Sequence, residues 1–216
     1  MPFSNNKVKE IFDKEADNLL FWYLDTLFTR ATENSRYRKK AIKFLNITPE
    51  SSIIDIACGT GFNFKIIESY LNKNGMLIGL DISPRSLEYA NGRINKNNWT
   101  NAKLVSINIR DYNPTIQFDA VICTYAISII PDYIETIDKM YNLLKKNGRL
   151  AIVGMKISSR YPFKLLNSYI DNYYLKWGIN IHRPIIKYLK SKPFKFEFYE
   201  DCHFGFEYIL VLKKVA

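Results

Sequence analysis

The chain has 216 residues, 47% of them apolar and 15% aromatic, with 31 Lys and Arg against 21 Asp and Glu for a net charge of +10. That is enough chain to bury one sizeable core without staples, and it carries too many aromatics for a disordered or low-complexity segment. Three widely spaced cysteines (Cys58, Cys123 and Cys202) fit neither a disulfide framework nor a zinc ribbon, and no apolar run reaches membrane-spanning length.

The opening residues, MPFSNNKVKEIFDKEAD, lack the apolar stretch of a signal peptide, which predicts a cytoplasmic chain. Val8, Ile11, Phe12, Ala16, Leu19, Leu20, Tyr23, Leu24, Leu27 and Phe28 recur at a helical period, predicting one long amphipathic helix over 8–29. A second helix is expected over 36–45, stopping before Thr48-Pro49. Beyond Pro49 the pattern turns to short apolar runs. Ser52–Ala57 reads as a buried strand running into the turn Cys58-Gly59-Thr60-Gly61. A helix over about 62–72 follows, then Asn74-Gly75 and a strand Met76–Leu80 that ends at Asp81. Pro84 suits the first turn of the next helix, which should run to Asn95. Strands are expected at Ala102–Ser106 and Phe118–Thr124, a helix over Pro131–Lys146 capped by Asn147-Gly148, and a strand Arg149–Met155. Two β-like runs, Lys195–Tyr199 and Phe206–Leu212, close the chain about Gly205.

Strands alternating with helices at this spacing predict an α/β fold: a doubly wound, mostly parallel sheet in a single domain over 1–216. Around a cofactor-binding core at 50–155 we expect a helical lid at 1–46, a helical cap at 156–194 and a C-terminal hairpin at 195–216. The positive charge is uneven. Between Lys156 and Phe196 nine Lys and Arg face one acid, Asp171, and share the stretch with nine aromatics. Arg30 to Lys43 adds six basic residues against Glu33. Such surfaces attract phosphates and anionic lipid, so peripheral contact with an anionic membrane at its inner face is expected. Nucleic acid is disfavoured by the acids of the first helix: Glu10, Asp13, Glu15, Asp17 and Asp25.

In a doubly wound sheet, ligands sit at the carboxyl ends of strands where the strand order reverses. The first strand delivers Asp55 and the Gly59/Gly61 turn there, and the second ends in Asp81, an acid suited to a ribose diol. Phe64 replaces the third glycine of a G-x-G-x-x-G fingerprint and should crowd a pyrophosphate, so a dinucleotide is disfavoured. Cys58 and Cys123 read as buried fillers. The sequence shows no His/Asp metal cluster, and no metal is expected.

IIDIACGTGFNF, LIGLDISPRSLEYA, FDAVICTYAISIIPD and LLKKNGRLAIVG resemble, in order and spacing, the motifs of class I S-adenosylmethionine-dependent methyltransferases. The resemblance implies a seven-stranded Rossmann-like sheet and S-adenosyl-L-methionine as cofactor. It implies that Asp55 and the backbone of Ala57, Gly59 and Gly61 hold the cofactor's amino-acid end, Asp81 the ribose, and Ile82 the adenine. Asn108 stands where the family has an Asp for the adenine amine, with Asp111 as the fallback, and Thr60, Asn63, Ile109 and Thr124 complete the set. Tyr125 should border the sulfonium and the acceptor, and His182 or His203 would be the base where one is needed. Tyr23, Tyr37, Tyr173, Tyr174 and Trp177 are candidates for holding the acceptor; the cap aromatics and Tyr125 could stabilise a growing quaternary ammonium.

TYAISIIPD, the Arg36-Tyr37-Arg38 triplet, HRP and FGFEYILVLKK are similar to a group between phosphatidylethanolamine N-methyltransferases and ubiquinone/menaquinone C-methyltransferases. His182, Ile185 and His203 depart from that group's pattern. The favoured expectation is methyl transfer to an amine, either a lipid headgroup or a small molecule. The alternative is C- or O-methylation of a quinone or specialised metabolite, with an RNA-binding modifier third. The absence of an N/D-P-P-Y/F tetrapeptide argues against adenine-N6 and protein-glutamine methylation.

Overall fold

The computed structural model describes residues 3–16, 33–175 and 177–215. Ser4 opens the first helix, its hydroxyl accepting the Lys7 amide at 3.3 Å, and α1 spans Asn5–Ala16. The expected start at residue 8 was late because this cap precedes the apolar periodicity; residues 17–29 of the expected helix lie outside the described residues. α2 spans Glu33–Lys43. The alternating core then runs β1 (Ser52–Ile56), α3 (Phe64–Glu68), β2 (Met76–Asp81), α4 (Pro84–Asn97), β3 (Ala102–Ser106), β4 (Phe118–Thr124), α5 (Tyr133–Leu143) and β5 (Leu144–Met155). The cap carries α6 (Asn167–Leu175) and α7 (Ile185–Leu189), and the chain closes with β6 (Phe194–Cys202) and β7 (Glu207–Lys214).

The seven strands lie in the order β3-β2-β1-β4-β5-β7-β6. β1 to β5 pair in parallel, while β7 inserts antiparallel between β5 and β6. The order reverses between β1 and β4, and a crevice opens there at the strands' carboxyl ends.

The apolar runs of the central strands serve two cores at once. Ile54, Ile56, Leu80, Val121 and Cys123 face one side, under α5 and α7. Ile53, Leu77, Ala120 and Ile122 face the other, under α2, α3 and α4. Successive residues therefore alternate between two buried faces, which is why these strands read as continuous hydrophobic stretches.

Local chemistry sets the boundaries. Ser83 caps α4 by accepting the Ser86 amide at 3.0 Å, Pro84 takes its first turn, and Asn98 ends it at φ 53°. α3 is shorter than expected, because Ser69 donates its hydroxyl back to the Ile66 carbonyl and the chain turns at Tyr70. β5 begins five residues earlier than expected. Leu144 already pairs with Phe118, and the register jumps to Ala120 opposite Arg149, so Lys145–Gly148 bulge out of the ladder. Arg183 of the HRP motif ties the cap to the core, donating from one guanidinium nitrogen to the carbonyls of Ile127 (2.8 Å) and Ile130. Among the described residues no helix is long and apolar enough to cross a membrane.

Candidate active site

The loop leaving β1 is shaped by left-handed backbone: Ala57 (φ 53°), Gly59 (φ 54°) and Gly61 (φ 80°). At Gly61 a Cβ would lie 2.9 Å from the Phe64 ring, while at Gly59 it would meet nothing within 4 Å. Packing against Phe64 thus requires glycine at 61, and at 59 it is the left-handed backbone that favours glycine. The loop is tied to β2 by the Gly59 amide, which donates to Asp81 Oδ2 at 2.8 Å, while Ser83 N donates to Oδ1 at 2.9 Å. Burial pushes the Asp81 carboxyl up, and these amides pull it back.

Phe64 does not crowd the ligand side. It is fully buried, and its ring fills the space above Gly79, where a Cβ would stand 2.5 Å from Cζ. The space that a third glycine would open between helix and strand is supplied by Gly79 instead. The expectation that Phe64 blocks a phosphate is corrected on that ground.

Asp55 sits behind the cavity wall, with no exposed surface. Both its oxygens accept from Asn63 Nδ2 (3.1 and 3.0 Å), and the same nitrogen donates to Thr124 Oγ1 at 3.0 Å. Arg38 of α2 donates from one nitrogen to Asn63 Oδ1 (3.0 Å) and to Thr124 Oγ1. Burial raises the Asp55 carboxyl to about 7 against the opposing pull of Asn63 and Arg38. Asp55 and Asn63 hold the loop and Arg38 in place rather than lining the cavity, as does Gly61.

One cavity is lined by Ala57, Cys58, Gly59 and Thr60 of the loop, Asp81 and Ile82 of the β2 end, Asn108 and Ile109, and Thr124 and Tyr125 of the β4 end. Asn108 Oδ1 accepts the Arg110 amide at 3.0 Å, capping a short turn, which uses one of its lone pairs and leaves its amide N–H donors. Asp111 does not line this cavity. α1 covers the same end with Asn5, Val8 and Phe12. It is fastened by Asn5 Nδ2 to Asp132 Oδ2 (3.1 Å) and by Ser83 Oγ to Asp13 Oδ1 (2.5 Å). The N-terminal helix thus closes over Asp81 and Asn108, and not only over the acceptor side as expected.

At the other end, Tyr125 is held at φ 60°, its amide donating to Val153 O at 2.7 Å. Its hydroxyl donates to Glu207 Oε2 at 2.9 Å. Burial, then the Glu207 charge, push the Tyr125 phenol far up, so it stays protonated. The Arg38 guanidinium lies over the Tyr125 ring, 4.9 Å from its centroid. Ala126, Ile129, Ile130 and Pro131 give this end an apolar wall.

The remaining expected site residues are elsewhere. His182 Nε2 faces Asp171 at 3.1 Å on the cap, and neither histidine lines the cavity. His203 Nδ1 contacts Glu207 Oε1 at 3.1 Å, with its ring half exposed. Tyr37 is buried in the core, its hydroxyl accepting the His203 amide at 3.3 Å. Tyr173 and Trp177 are exposed on the cap and Tyr174 is half-buried; none of the three lines the cavity, and Tyr23 lies outside the described residues. Besides the apolar wall, Cys58 and the α1 residues, Arg38 and Glu207 were not expected at the site. Arg38 stood in a triplet noted only for its resemblance, and Glu207 was visible as an acid opening an apolar strand. Among the described residues no group of three His, Cys, Asp or Glu could hold a metal ion.

A methyltransferase-domain family model matches residues 47–191. The chain is 25% identical over 119 residues to a demethylmenaquinone methyltransferase of Listeria welshimeri, covering 55% of this chain and 50% of the relative. It is 28% identical over 171 residues to one of Bacteroides fragilis, covering 76% and 68%. The chain thus spans about half the length of the Listeria relative. Among solved structures, the N-methyltransferase NodS of Bradyrhizobium japonicum, in complex with S-adenosyl-L-homocysteine, superposes with a TM-score of 0.73 at 16% identity, covering 97% of this chain and 99% of that one. With the strand order, the glycine loop and the acid at the β2 end already in place, this match over two thirds of the sequence means that the chain belongs to the class I S-adenosylmethionine-dependent methyltransferases.

Proposed function

We propose that the chain methylates a small apolar acceptor whose reactive form is an anion, a reduced quinone or related hydroxylated ring, with S-adenosylmethionine as donor. The cavity suits that cofactor: Gly59 leaves open space along its Cβ direction, and Thr60 Oγ1, on the wall, is buried with no hydrogen-bond partner. Asp81 would take the ribose hydroxyls, Ile82 and Ile109 the adenine, and Asn108 its polar edge. Thr60 and the Ala57–Gly59 backbone would take the amino-acid end. When bound, the cofactor supplies an activated methyl group; the protein supplies alignment, a dry cavity and a place for the acceptor's proton.

The observation that carries the acceptor class is the Arg38 guanidinium on the Tyr125 ring. It covers one face of that ring, and its positive charge favours a phenolate or enolate over an ammonium beside it. Tyr173, Tyr174 and Trp177 do not line the cavity, so of the aromatics expected to stabilise an ammonium only Tyr125 borders it. The names of the Listeria and Bacteroides relatives agree with a quinone.

The test is methyl transfer to reduced 1,4-naphthoquinone, phosphatidylethanolamine and small amines in parallel, with mass spectrometry of the products. A C- or O-methylated naphthoquinol is expected; transfer to the amines alone would overturn the acceptor class. We also propose peripheral contact with an anionic membrane. Its support is the exposed strip Tyr161, Leu165, Tyr169 and Tyr173 beside Arg160 and Lys164.

A further inference from the structure

We infer that Tyr125, Glu207 and His203 form a proton relay that leads from the acceptor end of the cavity to solvent. This rests on the acceptor class proposed above and adds Glu207, which no resemblance pointed to, as its central group. The three are joined by two contacts through the two oxygens of one carboxylate: Tyr125 Oη to Oε2 at 2.9 Å, and His203 Nδ1 to Oε1 at 3.1 Å. Glu207 is 6% exposed, opening a strand whose next five residues are all buried, whereas 53% of the His203 side chain meets water. A carboxylate placed there has no obvious packing use. Its first partner lines the cavity and its second reaches bulk solvent.

The backbone is arranged to hold this geometry. Tyr125 at φ 60°, His203 at φ 45° and Phe204 at φ 58° all adopt left-handed conformations that non-glycine residues rarely take, and such strain persists only where the surroundings enforce it. Tyr37 accepts the His203 amide, and Ser158 donates its hydroxyl to the Phe204 carbonyl at 2.7 Å, fixing the turn from both sides. The other ionisable groups facing Glu207 are Tyr174 of the cap and Cys202 of β6, with Arg38 beyond the Tyr125 ring.

The proton balance is simple. As the acceptor hydroxyl gives its proton to Tyr125 Oη, the phenolic proton passes to Glu207 Oε2, so Tyr125 ends neutral as it began. A half-turn of the carboxyl group brings that proton to the imidazole side. His203, with its proton on Nε2, accepts it at Nδ1 while Nε2 releases one to water; the resulting Nδ1–H donates to the restored carboxylate, and proton exchange with water at the half-exposed ring returns the Nε2–H tautomer before the next transfer. No electrons enter or leave the protein: the acceptor's electron pair forms the bond to the methyl carbon as the sulfur–methyl bond breaks with its pair on sulfur, and where the acceptor atom is a ring carbon, the C–H proton it displaces returns to the ring oxygen.

The test compares wild type with Glu207→Gln, Tyr125→Phe and His203→Ala. Calorimetry with S-adenosylhomocysteine should give affinities within about twofold for Glu207→Gln and His203→Ala, since neither residue lines the cavity. Proton NMR of the cofactor-free protein should show a downfield, slowly exchanging Tyr125 hydroxyl that is absent in Tyr125→Phe and moves upfield in Glu207→Gln. With reduced 1,4-naphthoquinone, Glu207→Gln should lose ~100-fold or more in turnover, the usual scale of general acid–base catalysis. His203→Ala should be slowed and recover with added imidazole, which a merely structural histidine would not do. Wild-type turnover in Glu207→Gln, an unmoved hydroxyl resonance, or no imidazole rescue each overturns the relay. If the resonance moves as stated but wild type does not turn over the naphthoquinol, the relay stands and the acceptor class fails.

Discussion

Removing the ionisation of Asp55 should change how stability depends on pH. Its carboxyl has no exposed surface and ionises near 7 in the fold, against 3.8 ordinarily, because burial penalises the anion more than Asn63 and Arg38 favour it. Below pH 3.8 both states hold the proton, and the group's contribution to stability is fully present. Between 3.8 and 7 the unfolded chain has released the proton while the fold still holds it, so that contribution falls as pH rises and is lost by about 7. At about 1.4 kcal/mol per pH unit, tapering as the folded group itself ionises near 7, raising the pH from 5 to 7 costs on the order of 2 kcal/mol. For a chain of this size that is roughly 4–8 °C in Tm. The assay is thermal unfolding of cofactor-free wild type and Asp55→Asn from pH 5 to 8. The variant keeps a carbonyl to accept from Asn63, so its curve should be flatter by this amount. Groups remote from Asp55 contribute equally to both proteins and cancel in the difference. Parallel curves would refute the reasoning and place the Asp55 ionisation at its ordinary value.

Asp81→Ala should weaken S-adenosylhomocysteine by about 1.5–3 kcal/mol, the scale of charge-assisted hydrogen bonds, and also release the Gly59 amide. Equal affinity by calorimetry in the folded variant would count against the ribose assignment. For the membrane proposal, co-sedimentation should show binding to anionic but not neutral vesicles at low salt, lost as salt shortens the range of attraction. Binding to neither kind at any salt would end that reading.

Much of this molecule was legible in the linear chain, and for a physical reason. Strand and helix periods, the proline and glycine punctuation and the acid at the β2 end are local signals, and they foretold all seven strands and the loop that shapes the cavity. The boundaries of β5 and α3 were less legible, since a bulge against Phe118 and a turn at Ser69 depend on the neighbours they meet. What only the tertiary structure decided is which side chains meet. Arg38 and Thr124 are 86 residues apart, and Tyr125 and Glu207 are 82 apart. Glu207 comes near the cavity because β7 pairs antiparallel with β5, next to β4, a pairing that no short-range period encodes. The direction of Phe64, the place of Asp55 behind the wall and the distance of His182 from the cavity follow from packing across two faces of one sheet. Sequence spacing assigns a residue to an element and a face, whereas the neighbour on that face is chosen by the order in which the strands assemble.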